Sequence, residues 1–146
     1  MKRSLVRSFA ALMAVAGALL AVLPAGVANA AANCDFNAGT GAYSCSGQQN
    51  VKLPSDVVGA RVYTGTYYEG DRLTIWAPKD CPKDGWVNHQ VRLNNTQWAR
   101  NIGSVQPFGQ CAVWLAFDNG GREGPYEKDN SNVADIGRYT VEVQLS

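Results

Sequence analysis

The sequence is short of the residues that most often build catalytic and metal centres. It holds one histidine, His89, and no C-x-x-C pair among its four cysteines. Zinc sites want Cys and His ligands paired at close spacing, so no zinc cluster is expected. His89 stands between Asn88 and Gln90, the setting of a solvated loop or strand residue and not of a general base oriented by a partner. An excess of charge is also missing: 13 Lys and Arg face 12 Asp and Glu, for a formal net charge of +1. Without a basic cluster to neutralise phosphates, nucleic acid is excluded as the expected partner. Past Ala32 no ten-residue segment sets apolar residues three and four apart, which argues against any long amphipathic helix. Linkers and low-complexity stretches are lacking too, so one domain is expected.

The one long apolar run lies at the N-terminus, from Phe9 to Leu23. Lys2, Arg3 and Arg7 precede it, Pro24 breaks it, and Ala28-Asn29-Ala30 follows as a small-x-small site. That order marks residues 1–30 as a secretory signal peptide, with cleavage after Ala30, or after Ala32 by the same rule. The run is shorter than the roughly 20 residues that cross a bilayer, so no membrane anchor is expected after cleavage. Residues 31–146 remain, enough to bury one continuous core. Their charge is slightly negative, because the signal removes three basic residues and no acidic one. The expected location is extracellular.

Cys34, Cys45, Cys81 and Cys111 all lie in the exported part. An even number in such a chain indicates disulfides, and four cysteines allow three pairings. We favour Cys34 with Cys45, because Gly39 and Gly41 supply a tight turn between them; Cys81 then pairs with Cys111. Closing the shorter loop is worth about 3 kcal/mol. Oxidation of all four leaves no thiolate for catalysis.

Short alternating runs recur instead of helical ones: Val51–Leu53, Ala60–Tyr63, Arg72–Trp76, Val91–Leu93, Ala112–Phe117 and Tyr139–Leu145. Turn-forming groups separate them, including Asp80–Gly85, Asn94-Asn95, Asp118–Gly121 and Asp129–Asn132. Several short strands divided by turn chemistry predict an all-β fold, an antiparallel sandwich or barrel.

Comparison of the chain with itself gives a more specific signal. Tyr63, Tyr68 and Gly70 form an aromatic-x4-aromatic-x-Gly pattern, and Phe117, Arg122 and Gly124 repeat it with Arg122 in place of the second aromatic. Such a pattern suits a hairpin folded back on its sheet, with a glycine at the bend and an aromatic packed over it. A second matching pair follows, Asn94–Gly103 and Asp129–Gly137. The arrangement resembles the β/γ-crystallin superfamily, in which each of two Greek-key motifs carries a Y/F-x-x-x-x-Y/F/W-x-G hairpin followed by an N/D-N/D-x-x-S/T-S loop. The resemblance implies a single antiparallel Greek-key sandwich with motif 1 at about residues 60–106 and motif 2 at about 112–145. Cys34 to Gly59 would be an N-terminal addition or first strand pair, carrying a disulfide hairpin.

In that family the N/D-rich loops can form calcium sites. Here Trp98-Ala99 and Val133-Ala134 occupy the S/T-S places, so a hydroxyl ligand is missing from each loop. Asp129 and Asp135 remain as weak candidates for calcium, and turn residues stabilised by side-chain hydrogen bonds are the preferred reading. No other cofactor is expected.

Catalysis is not expected either, since a carboxylate pair such as Asp118 with Glu123 has little cleft to work in. A binding surface is left. Trp76 and Trp114 lie in apolar runs and are expected in the core, whereas Trp86 in the Cys81 loop and Trp98 in the asparagine loop are the candidates for exposure. Small secreted bacterial proteins resembling this superfamily include metalloprotease inhibitors and killer-toxin-like proteins. The resemblance therefore implies a non-enzymatic partner of an extracellular protein such as a protease, or of a cell-surface glycan. Lys79, Lys83, Trp86 and Trp98 are the candidate contacts. The alternative is a calcium-binding, structural or stress-related secreted protein.

Overall fold

The computed structural model describes residues 30–146, so the predicted signal peptide lies outside the described residues apart from Ala30. The strands are β1 (Asn33–Asn37), β2 (Tyr43–Ser44), β3 (Val57–Tyr63), β4 (Arg72–Ala77), β5 (His89–Arg92), β6 (Ser104–Pro107), β7 (Val113–Phe117), β8 (Arg122–Tyr126) and β9 (Thr140–Leu145). The one α-helix among the described residues is the single turn α1 (Ala134–Gly137). The fold is all-β, as the alternation predicts. In β9 the period of two is explicit: Val143 and Leu145 are sealed inside while Glu142 and Gln144 are partly exposed.

Not every run became a strand. Val51–Leu53 is a turn, because side chains satisfy its backbone before a neighbouring strand can. Asn37 Nδ2 donates to the Val51 carbonyl at 2.7 Å, and the Asp56 carboxylate accepts the Leu53 N–H at 2.7 Å. Strands β6 and β8 escape the pattern, the latter because Gly124 and Pro125 interrupt it.

Two sheets form, in the orders β2-β1-β4-β3-β6 and β5-β9-β7-β8. Their pairings are antiparallel except that β1 runs parallel to β4. Between them lies one core, with Val62, Leu73, Ile75 and Val105 from the first sheet meeting Val91, Val113, Leu115, Val143 and Leu145 from the second. Each such side chain contributes about 1.5–3 kcal/mol by leaving water.

The sheets exchange segments. Strand β5 follows β4 in the chain, yet it pairs with β9 in the opposite sheet. In return Asn130, which follows β8, bridges to Val105 of β6 in the first sheet. Where the halves meet, the Val133 N–H donates to the Gly103 carbonyl at 2.7 Å. The approach is so close that a Cβ at Gly137 would lie 1.6 Å from the Ile102 oxygen.

The N-terminal segment is a strand pair. Cys34 is bonded to Cys45 across the β1–β2 hairpin, the pairing favoured from the glycines between them. The parallel docking of β1 on β4 lets buried Asp35 accept the Trp76 indole N–H at 2.8 Å.

Candidate binding site

The segment from Ala77 to His89 joins the two sheets and carries the second disulfide, Cys81–Cys111, which is buried at both ends. Asp80 adds to the tether. One of its carboxylate oxygens accepts the Cys81 N–H at 3.0 Å and the Gln110 N–H at 2.8 Å, fixing the loop to the turn before β7. Beyond the disulfide, Asp84 accepts the Trp86 N–H at 2.9 Å, and Gly85 takes the left-handed conformation that this turn needs. The tip is thus set by its own chemistry, and it presents a Trp86 side chain that is 76% exposed. Lys79 and Lys83 are exposed on the same loop.

Trp98 does not join them. Expected at the surface, it is 0% exposed and fills the space between the sheets, with its indole N–H 3.3 Å from the Tyr43 hydroxyl that accepts it. The reason is the tight turn before it. The Thr96 hydroxyl and N–H both donate to the Leu93 carbonyl, which swings the chain inward at Trp98.

A groove of about 230 Å³ opens beside the Cys81 loop. Lys83 and Gly85 form one side, Gln110 and Cys111 another, and Trp114, Pro125, Glu127 and Ser146 complete it. Trp114 was expected in the core. In β7, however, Val113 and Leu115 face inward and Trp114 lies between them, so it turns outward and is only half-buried. Its indole N–H donates to the Ser146 hydroxyl at 3.0 Å, and the Arg122 guanidinium stacks 4.0 Å from the ring centre. Arg122 also donates to the Gln144 side-chain oxygen at 3.2 Å. Spacing along the chain gave no sign of this groove, since its walls come from four separate segments.

At the root of the loop, His89 is partly buried, and burial first, then Lys79, lowers its pKa from the ordinary 6.5. Its Nε2 and the neighbouring Asn88 Oδ1 are buried without hydrogen-bond partners.

The calcium candidates sit elsewhere, Asp129 held by a hydrogen bond and Asp135 almost fully exposed. Asp129 accepts from Gln106 Nε2 at 2.8 Å, and the same amide's oxygen accepts the Tyr63 hydroxyl at 2.6 Å. Asp135, on α1, faces Arg138 at 3.9 Å. Asp118 is bonded to Arg100 of the asparagine loop. Among the described residues, no three His, Cys, Asp or Glu side chains converge as a metal site would require.

The two hairpin patterns hold corresponding places at their first aromatics, Tyr63 ending β3 and Phe117 ending β7. Tyr63 packs edge-on against Tyr68 with ring centres 5.7 Å apart, whereas Phe117 packs against Tyr139 at 6.5 Å. The glycines differ in place: Gly70 precedes β4 and Gly124 lies within β8, because a 3-10 turn at Thr66–Tyr68 lengthens the first connection.

Set against protein-family models, characterised proteins and solved structures, the chain matches none.

Proposed function

We propose that this chain is a secreted, non-enzymatic binding protein of β/γ-crystallin-like architecture that meets an extracellular target with its Cys81–Cys111 end. The exposed indole of Trp86, on a loop held by a buried disulfide and by Asp80, is the observation that carries the reading. A large apolar side chain left in water on a rigid support costs little ordering on contact and suits an interface anchor. The exchange of β5 and Asn130 between the sheets is the connectivity expected of two interlocked Greek keys, and the signal-like N-terminus with two disulfides accords with export.

A rigid, tethered loop flanked by Lys79 and Lys83 favours an inhibitor-type contact with an extracellular protein, such as a protease. A second reading, a toxin-like effector at a cell surface, draws on the groove beside the loop. The test is affinity capture from culture supernatant and from cell-wall fractions, with the wild-type protein and with Trp86→Ala. The reading expects a saturable target that Trp86→Ala loses at least tenfold; equal capture by both proteins would sink it.

A further inference from the structure

The groove at the Cys81–Cys111 end has a composition that selects among ligands. We infer that it is a saccharide subsite that takes one neutral hexose-class ring of a glycan. The inference rests on the second reading, contact with a cell surface through the groove at that end, and names the chemistry of what the groove binds. Trp114 and Pro125 give the groove an apolar wall suited to the C–H face of a sugar ring. Around it Gln110 offers a donor and an acceptor, Glu127 an acceptor, Lys83 a donor and Ser146 a hydroxyl. Sugar hydroxyls donate and accept at once, so a rim of both kinds can satisfy them.

The alternatives fit less well. An apolar ligand would use only Trp114 and Pro125 and leave Gln110, Glu127 and Lys83 idle at the exposed rim. An anion would meet the Glu127 carboxylate, and a cation the Lys83 ammonium; their opposite charges leave a neutral ligand favoured. At about 230 Å³ the groove falls below the 300–1,000 Å³ usual for drug-sized ligands and is of a size for a single ring. The aromatic wall is set beforehand, because Arg122 stacks on Trp114 and Ser146 accepts its indole N–H. Little ordering is then lost on binding.

The experiment is titration of the purified, disulfide-bonded protein with neutral hexo-oligosaccharides and with N-acetylhexosamine oligosaccharides, followed by amide and indole NMR shifts. Saturable shifts at Trp114, Gln110 and Glu127 at millimolar sugar are expected from at least one series. The double variant Gln110→Ala with Glu127→Ala, both exposed positions, should weaken binding about tenfold by removing two hydrogen bonds while the melting temperature holds. Absence of shifts at the groove with either series, or binding that the double variant leaves unchanged, overturns the inference. Capture of a protein target that is lost with Trp86→Ala but indifferent to sugar overturns it too, and leaves the broader reading standing. Groove shifts with capture unaffected by Trp86→Ala would support the subsite and remove Trp86 as the anchor.

Discussion

The Arg122 guanidinium lies 4.0 Å from the centre of the Trp114 ring, on the outward side of a strand whose neighbours Val113 and Leu115 are sealed in the core. This contact fixes the aromatic wall of the groove. It sets Arg122 apart from Tyr68, its counterpart in the first hairpin pattern: Tyr68 packs on Tyr63, whereas Arg122 stacks on Trp114 and not on Phe117.

Arg122→Ala should therefore lower stability by about 1 kcal/mol, the usual worth of an exposed cation–π contact. Arg122→Lys should recover part of that, since an ammonium keeps the charge and loses the planar stack. Urea unfolding gives the energies, and acrylamide quenching should rise in Arg122→Ala as the Trp114 ring gains access to solvent. No change in quenching would mean that the ring is held by its bond to Ser146 alone.

Trp114 and Trp98 mark the limit of what periodicity can reveal. Runs with alternation, such as Arg72–Trp76 and Tyr139–Leu145, became β4 and β9, whose alternate residues Leu73 and Ile75, Val143 and Leu145 enter the core. Alternation does not say which phase faces inward where a run is apolar at every position, and Ala112–Phe117 is such a run. Its register against β9, with Trp114 opposite Gln144, decides that the tryptophan goes out. Trp98 fails in the other direction: its neighbours Asn94–Gln97 are polar, but a side-chain bond from Thr96 turns the chain into the core. Local chemistry was enough for the Cys81 loop, where Asp84-Gly85 sets the turn and the cysteines supply the tether. It was not enough for the groove, whose parts are joined only by the sheet.

His89 gives a pH dependence with a definite sign. Its folded pKa is below the ordinary 6.5, chiefly through burial and secondly through Lys79. Well above pH 6.5 both folded and unfolded chains hold a neutral ring and the residue adds no slope. As pH falls below 6.5 the unfolded chain takes up a proton that the folded one resists, so stability declines until pH passes the folded value. Thermal melts in a series of buffers should show this decline, and His89→Gln should flatten it. An unchanged slope in the variant would assign the effect to the carboxylates.

Removing the second disulfide should separate stability from presentation. Cys81 and Cys111 are 30 residues apart, so Cys81→Ser with Cys111→Ser should cost about 3.5 kcal/mol through the unfolded state. Asp80 still holds the Cys81 and Gln110 backbones, so the loop should stay on the surface but move more. We expect faster amide exchange confined to Pro82–Asn88 and weaker capture of the target. If exchange rises throughout both sheets instead, the bridge holds the fold and not the loop.

Gly137 tests the junction between the halves. Alanine in place of a helical glycine ordinarily stabilises by about 1 kcal/mol. Here its Cβ would fall 1.6 Å from the Ile102 oxygen and 2.6 Å from the Ile102 carbonyl carbon. That backbone cannot yield easily, because Ile102 and Gly103 are buried and Gly103 accepts the Val133 N–H at 2.7 Å. Gly137→Ala should accordingly destabilise by about 4 kcal/mol or more, or prevent folding. Gly85→Ala is the comparison: that residue has φ +78° but nothing within 4 Å, so only backbone strain of about 1–2 kcal/mol is expected. Urea midpoints for the two variants should fall in that order. The reverse order would mean that strain at the loop tip outweighs the close approach of the halves, and that the exchanged segments are joined more loosely than their hydrogen bonds imply.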